Sequence, residues 1–406
     1  MMNRRLVLVL LTLCICVLAW VYRPSPALPA PVAEIWPPLD VAIPVTTSSD
    51  WIGARGAALM EVGSYRLLSG KNSDARLPMA STTKIMTAIL AIESGRLDEV
   101  VTVSQQACQV EPSSIWLVPG ERITLKHLVY GLMLRSGNDA AQAIAEHLGG
   151  SITGFATMMN QKALDLQLQN THFANPHGLP HSDHYTSAYD LAKLTAYALQ
   201  NPVFSRVVAT KSIVVPGDGQ AQPRVWYNKN RLLTSYVGAD GVKTGWTRAA
   251  GSCLVASAER SGLRVVAVVL NSPDEFAETA RLMDSAFAGY RTETLVTKGQ
   301  WVQSLAVNHG YPRYVGAVAA GGYAWPVARG ESLDLRTELV MPEQLEAPVA
   351  AGQRVGTLRL IRSGQCLAEI PLVSDQESCN SRWERLLTGL ATRFWELVGQ
   401  AGGTGR

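Results

Sequence analysis

Ser81 and Lys84 stand three residues apart, a spacing that sets a hydroxyl and an amine on one face of a helix. Ser136-Gly137-Asn138 follows about 55 residues later, and Lys243-Thr244-Gly245 about 105 residues beyond that. Together they supply a nucleophile, two amines and an amide, the parts needed to open an amide bond through an acyl-enzyme. A Ser-x-x-Lys alone arises by chance about once in a chain this long and ordinarily marks a solvated helix turn. The three clusters in this order are far more specific.

Each residue has a chemical reason to be there. A serine hydroxyl needs a base, and an ammonium ion cannot be one, so Lys84 must be buried near a second cation that lowers its pKa. Lys243 is the natural second cation, and it can also attract a substrate carboxylate. Ser136 can pass a proton to the leaving amine, and the Asn138 amide can hold a peptide bond. Thr244 can donate to a carboxylate, while Gly245 lets a ligand backbone approach. The next backbone N–H, from Trp246, can join that of Ser81 as an oxyanion hole.

The elements that carry these groups are legible as periodicities. Ala57 to Val62 followed by Ser69-Gly70-Lys71-Asn72 reads as a strand and a hairpin turn. From Ser81 the pattern changes to Ile85, Met86, Ile89, Leu90 and Ile92, a largely buried helix that Gly95 stops. Helical patterns recur at 125–134, 140–148, 152–168 and 188–199, strands at 212–215, 241–244, 254–258 and 265–270, and a closing helix at 275–290. Helices between early and late strands predict an α+β core, a sheet flanked by helices. From about Arg291, short runs separated by Gly and Pro predict a small all-β module.

Four hundred and six residues, 47% of them hydrophobic, allow two or three domains with ample core. A net charge of +3 with no long basic run excludes a nucleic-acid partner. Arg4 and Arg5 precede the uncharged stretch Leu6 to Tyr22 and then a proline-rich segment, the form of an export signal with Ser25-Pro26-Ala27 as a cleavage site; an uncleaved anchor is the alternative. Either form places the folded part outside the cytoplasm. Of six cysteines, Cys14 and Cys16 fall in the apolar segment. The remaining four, Cys108, Cys253, Cys366 and Cys379, allow three full pairings in an oxidising compartment; Cys366 and Cys379 are closest in sequence, and Cys253 reads as a buried thiol. His172, His177, His181 and His184 cluster in a loop without thiolate partners or i, i+4 spacing, so neither metal nor cofactor is expected. The tail, with Trp383, Leu386, Leu387, Leu390, Phe394, Trp395, Leu397 and Val398 at helical spacing and arginines between, predicts an amphipathic helix in a membrane interface rather than one docked on the β module.

The three clusters and their flanks, Pro78 to Thr87, Leu134 to Ala141 and Gly241 to Thr247, resemble the low-molecular-mass penicillin-binding proteins, the serine D-alanyl-D-alanine carboxypeptidases, over roughly residues 50 to 400. The resemblance implies a penicillin-binding/serine β-lactamase-like core, a small β domain and a C-terminal membrane helix. It implies that Ser81 attacks the D-Ala–D-Ala bond of peptidoglycan stem pentapeptides, releasing D-alanine, and that β-lactams acylate the same serine. The predicted organisation is a signal peptide at 1–27, a Pro-rich linker at 28–48, a catalytic domain at 49–290, a β domain at 291–376 and a membrane-anchoring helix at 377–406, with the enzyme at the outer face of the cytoplasmic membrane or in the periplasm. Many relatives carry a basic residue that helps hold the terminal carboxylate where Pro273-Asp274-Glu275-Phe276 stands here. Arg248 is the candidate replacement, because alternation along a continuing strand puts it on one side with Thr244 and Trp246.

Three other readings share these residues. A β-lactamase needs a glutamate for deacylating water, and 173–187 contains no Glu-x-x-x-Asn. A DD-endopeptidase would use the same site on cross-links. A non-catalytic wall-binding or drug-sensing module fits poorly with intact Ser81 and Lys84.

Overall fold

A computed structural model describes residues 51–217 and 222–380, together with Leu386. The export signal, the proline-rich linker and, apart from Leu386, the predicted tail helix beyond Asn380 lie outside the described residues.

The first hairpin pairs β1 (Gly56–Glu61) with β2 (Leu67–Lys71). Its turn lies at 62–66 and not at Ser69-Gly70-Lys71, which are strand residues of β2. The Glu61 carboxylate closes the true turn by accepting from the backbone N–H groups of Gly63 and Ser64. Polar side-chain closure of this kind is a weak signal beside a Ser-Gly pair, so sequence reading prefers the wrong turn.

Next come α1 (Lys84–Glu93), β3 (Val100–Thr102), β4 (Arg122–Thr124), α2 (Leu125–Leu134), α3 (Asn138–Gly149) and α4 (Ile152–Asp165). Then follow α5 (Ala188–Gln200), α6 (Pro202–Ala209), β5 (Ser212–Val215), β6 (Arg224–Tyr227) and α7 (Leu232–Ser235). The sheet is completed by β7 (Ala239–Thr247), β8 (Gly251–Arg260) and β9 (Leu263–Ser272), and α8 (Glu275–Gly289) closes this part of the chain. The sheet is antiparallel, in the order β2-β1-β9-β8-β7.

Both faces of that sheet are covered, and strand alternation shows how. Val266, Val268 and Leu270 of β9 join the larger core with α1, α2 and α5, while Val265, Ala267 and Val269 join a second core with Leu282, Met283 and Ala286 of α8. A strand buried on both faces reads as a continuous apolar run, which is why its position was legible. Helix α1 is buried along all but its last residue, so it runs through the middle of the larger core.

Residues 290–380 are all β: β10 (Tyr290–Val296), β11 (Trp301–Asn308), β12 (Gly310–Tyr311), β13 (Tyr314–Ala319), β14 (Tyr323–Ala328), β15 (Leu335–Val340), β16 (Gln344–Glu346), β17 (Arg354–Arg362), β18 (Gln365–Ser374) and β19 (Cys379–Asn380). Its main sheet runs β15-β17-β18-β13-β11-β16 and encloses its own core. Cys366 and Cys379 are both free thiols here, so the expected bridge is absent. Cys366 starts β18 and Cys379 follows its far end. At about 3.3 Å per residue, the strand between them holds them far beyond disulfide reach.

Candidate active site

Ser81 lies in a short 3-10 turn, Ala80–Thr83, that feeds directly into α1, rather than in the α-helix itself. The turn is pinned from below. Thr82 Oγ1 donates to the Met79 carbonyl, and Thr83 Oγ1 donates to the Ala80 carbonyl. Ala80 is held at φ +49°, a conformation that alanine adopts only when its surroundings enforce it.

Lys84 opens α1 and is fully buried. Its Nζ lies 3.0 Å from Ser81 Oγ, 2.7 Å from Asn138 Oδ1 and 2.6 Å from the His177 carbonyl. Two of these partners can only accept. A neutral amine has two N–H bonds and one lone pair, so when Asn138 and His177 take both N–H bonds the lone pair is left for the Ser81 proton. Burial pushes Lys84 well below the usual lysine range, and the nearby charges of Lys243 and Lys229 push it further.

Ser136 occupies the three-residue link between α2 and α3, buried and at φ +64°. Asn138 is the first residue of α3. Its backbone N–H donates to the Ser113 carbonyl at 2.7 Å, while its side-chain N–H₂ reaches the Pro112 carbonyl only at 3.4 Å. That long bond leaves the amide able to turn to a substrate carbonyl.

Strand β7 carries the third cluster and is the sheet's edge. Lys243 is buried, and its Nζ donates to the Thr244 carbonyl at 2.8 Å. Burial, then the Lys229 charge, brings its pKa down to about 7. Gly245 is where β7 crosses the serine turn: a Cβ there would sit 3.1 Å from Ser81 N, 3.2 Å from Ala80 Cβ and 3.2 Å from the Met79 carbonyl. Thr244 is half-buried and Trp246 exposed. Arg248 falls one residue past the end of β7, in the turn to β8, so the alternation that grouped it with Thr244 and Trp246 stops short of it.

Several site residues escaped the sequence reading. His177 supplies the backbone carbonyl on Lys84, and burial holds its imidazole near pKa 3. Gly178, at φ +90°, packs so closely that a Cβ would meet the Ala80 carbonyl at 1.8 Å. His184 Nε2 lies 2.7 Å from Thr83 Oγ1, and its Nδ1 accepts from Ala174 N, which clamps this loop to the serine turn. Pro176 and Gly178 signal a turn, but a turn signal does not say what the turn packs against. Lys229 precedes Asn230, whose side chain donates to the Gly241 carbonyl of β7, and Lys229 reaches the other two lysines only through space. Asp139, fully buried beside Asn138, gathers the backbone N–H groups of Ile115 and Leu117 and the Ser114 hydroxyl.

Beside the serine turn is a cavity of about 410 Å³, lined by Met79, Ala80, Leu179, Pro180, His181 and Thr247 among others. The four histidines expected in one loop are there, but two of them are buried and hydrogen-bonded as described. Among the described residues no group of His, Cys, Asp and Glu could hold a metal ion. Asp274 and Glu275, at the departure from the expected basic residue, begin α8, where Asp274 caps the helix by accepting from Ala277 N.

Comparison with known proteins agrees with this arrangement. Residues 43–274 match the D-alanyl-D-alanine carboxypeptidase family, and residues 290–378 match the penicillin-binding protein 5 C-terminal domain. The chain is 36% identical over 334 residues to the D-alanyl-D-alanine carboxypeptidase DacF of Bacillus subtilis, covering 80% of this chain and 85% of the relative. It is 32% identical over 363 residues to DacC of Escherichia coli, covering 84% and 88%. Penicillin-binding protein 5 of Haemophilus influenzae superposes with a TM-score of 0.65 at 27% identity, over 82% of this chain and 99% of that one. The chain belongs to the D-alanyl-D-alanine carboxypeptidase family of low-molecular-mass penicillin-binding proteins.

Proposed function

We propose that the chain removes the terminal D-alanine of peptidoglycan stem pentapeptides through an acyl-enzyme on Ser81. The observation that carries this reading is the Lys84 amine, buried, held between two acceptors and 3.0 Å from Ser81 Oγ, where burial and two neighbouring lysines lower its pKa. Ser81 Oγ attacks the carbonyl of the penultimate D-alanine while its proton passes to Lys84 Nζ. The oxyanion forms against the N–H groups of Ser81 and Trp246, which the close passage of Gly245 over Ser81 N supports. The leaving amine takes a proton through the Ser136 hydroxyl, with Lys84 as its source, and free D-alanine departs. Water, losing a proton to Lys84, then attacks the ester and regenerates Ser81. Lys243 and Thr244 receive the substrate's terminal carboxylate, and the edge of β7 offers unpaired backbone groups to an extended stem peptide.

A β-lactam follows the same first step, but its amine remains tethered to the acyl group and cannot leave. Loop 173–187 holds one carboxylate, the exposed Asp183, and the group it presents to Lys84 is a backbone carbonyl. That disfavours rapid β-lactam hydrolysis by a glutamate-activated water. Intact-mass spectrometry after penicillin treatment should show a single adduct on the peptide containing Ser81, and product analysis should show one D-alanine released per pentapeptide. An adduct that persists in Ser81→Ala sinks the assignment. Lys84→Ala should slow acylation by at least about 10²-fold, the scale of a lost general base.

We infer that the protein is exported through its N-terminal segment and held at the outer face of the membrane by the amphipathic segment after Asn380, because Cys379–Asn380 are taken up by the β12–β19 pairing. The single apolar stripe of the tail, with arginines between its large side chains, suits a peripheral anchor. Truncation after Asn380, which keeps the β12–β19 pairing, should release the mature protein into the soluble fraction with full activity on small substrates. If the truncated, signal-free protein stays with membranes, the tail is not the anchor.

A further inference from the structure

The loop between β3 and β4 contains an arrangement that the catalytic steps above do not use. Trp116 is 73% exposed, yet its backbone sits at φ +61°, and Ser113 in the same loop sits at φ +82°. Neither residue is a glycine, so both positions are held against local preference. What holds them is the active site itself. Ser113 accepts from Asn138 N, and Asn138 receives Lys84. Buried Asp139 binds the N–H groups of Ile115 and Leu117 on either side of Trp116 and the hydroxyl of Ser114. The Trp116 N–H donates to Ser114 Oγ at 2.8 Å, and Arg224, fixed by Glu121, donates to the Trp116 carbonyl at 3.0 Å. A rigid, strained backbone therefore presents a large apolar ring to water, three residues along the loop from Ser113, whose carbonyl accepts from the Asn138 that touches the catalytic amine.

A ring displayed at such cost to the backbone has no packing role, because most of its surface meets solvent. We infer that Trp116 is a specificity residue that contacts the peptide part of the substrate beyond its two D-alanine residues. This rests on the carboxypeptidase reading above. In that reaction the substrate ends one residue past the scissile bond, so any portion long enough to reach an outer wall of the site lies on the acyl side. An indole face suits flat, uncharged peptide planes and aliphatic stems, and an aromatic contact of this kind changes affinity by about 3- to 10-fold.

The test uses the full-length protein and three substrates: an N-acetyl-D-alanyl-D-alanine dipeptide, a soluble stem pentapeptide, and the same pentapeptide carrying its disaccharide. In Trp116→Ala the KM for the pentapeptide, divided by that for the dipeptide, should rise about 3- to 10-fold, equally with and without sugar, and Trp116→Phe should recover most of the loss. Trp116→Gly should show the same loss of discrimination while its Tm rises by about 2 °C, because glycine accepts the positive φ without strain. An unchanged ratio, equal losses on the dipeptide and the pentapeptide, a loss confined to the disaccharide substrate, or a lower Tm in Trp116→Gly would each overturn the inference. Failure of the wild type to cleave any of the three would instead overturn the proposed function.

Discussion

The Lys84 amine has two fixed acceptors and one reactive direction, and this makes its protonation state readable in kinetics. Acylation needs Lys84 neutral, so kcat/KM should rise with pH through its lowered pKa. Binding of a substrate carboxylate needs Lys243 charged, so kcat/KM should fall again as pH passes about 7, where burial and Lys229 have brought that group. The profile for a pentapeptide is then a bell, and amidation of the terminal carboxylate should remove its alkaline limb. Lys229→Gln takes away a cation that depresses both lysines and should move both limbs to higher pH. A profile unaffected by Lys229→Gln would remove Lys229 from the electrostatic account. The same pair of substrates decides the second carboxylate partner. If Arg248 reaches back from its turn, Arg248→Ala should raise KM about 10- to 100-fold for the free acid and hardly at all for the amide. Equal effects on both would make Arg248 structural.

Among the elements, the loop from Thr171 to Ser187 positions the serine turn through contacts that tolerate little change. In His184, Nδ1 accepts a backbone N–H, so a proton there must break the bond to Ala174. Burial puts both His177 and His184 near pKa 3, against 6.5 for a free imidazole. Both are neutral in the folded and unfolded states above pH 6.5, and as pH falls from there toward 3 only the unfolded chain takes up protons, so stability is lost. At pH 5 that loss is about 2 kcal/mol per histidine. Urea titrations at pH 7 and pH 5 should show it, and the difference should shrink by roughly half in His184→Gln. Gly178→Ala tests the same contact from the other side. A left-handed alanine costs about 1–3 kcal/mol before the collision with the Ala80 carbonyl is counted, and a displaced Ala80 shifts Ser81 directly. Acylation should fall together with stability; full activity in Gly178→Ala would show that the turn is less tightly held than its geometry indicates.

At the scale of the whole molecule, one buried side chain links the first hairpin to the β region. Arg66, beside the β1–β2 turn, forms two 3.0 Å bonds to the carboxylate of Glu331, donates to the Pro326 carbonyl, and stacks against Tyr290 and Trp325. Arg362 shares Glu331 at 2.6 Å. Removing one member of such a buried pair strands the rest, so Arg66→Ala should cost about 3 kcal/mol in urea unfolding. Hydrolysis of soluble substrates should be unchanged, because nothing in the Arg66 cluster touches the Ser81 site. A loss of less than about 1 kcal/mol would mean that Arg362 alone suffices for Glu331.

The sequence by itself named the groups of the proposed chemistry and most of the framework. Ser81, Lys84, Ser136, Asn138 and Lys243 were identifiable because an acyl-transfer site needs those functional groups, and helices such as 125–134 were identifiable because their burial imposes a 3.6-residue period. Strands β8 and β9 announced themselves as apolar runs for the same reason. Tertiary structure decided everything that depends on contact between distant segments. It gave Lys84 two acceptors from residues 54 and 93 positions away, set Lys229 beside two other lysines, used Glu61 rather than Ser69-Gly70 to turn the first hairpin, and kept Cys366 from Cys379. Backbone carbonyls carry no sequence signature, and neither does a positive φ at Ser113 or Trp116, so periodicity and motif spacing could not report them. They follow only once the buried carboxylate of Asp139 has gathered the N–H groups of Ile115 and Leu117 and β7 has been brought across the serine turn.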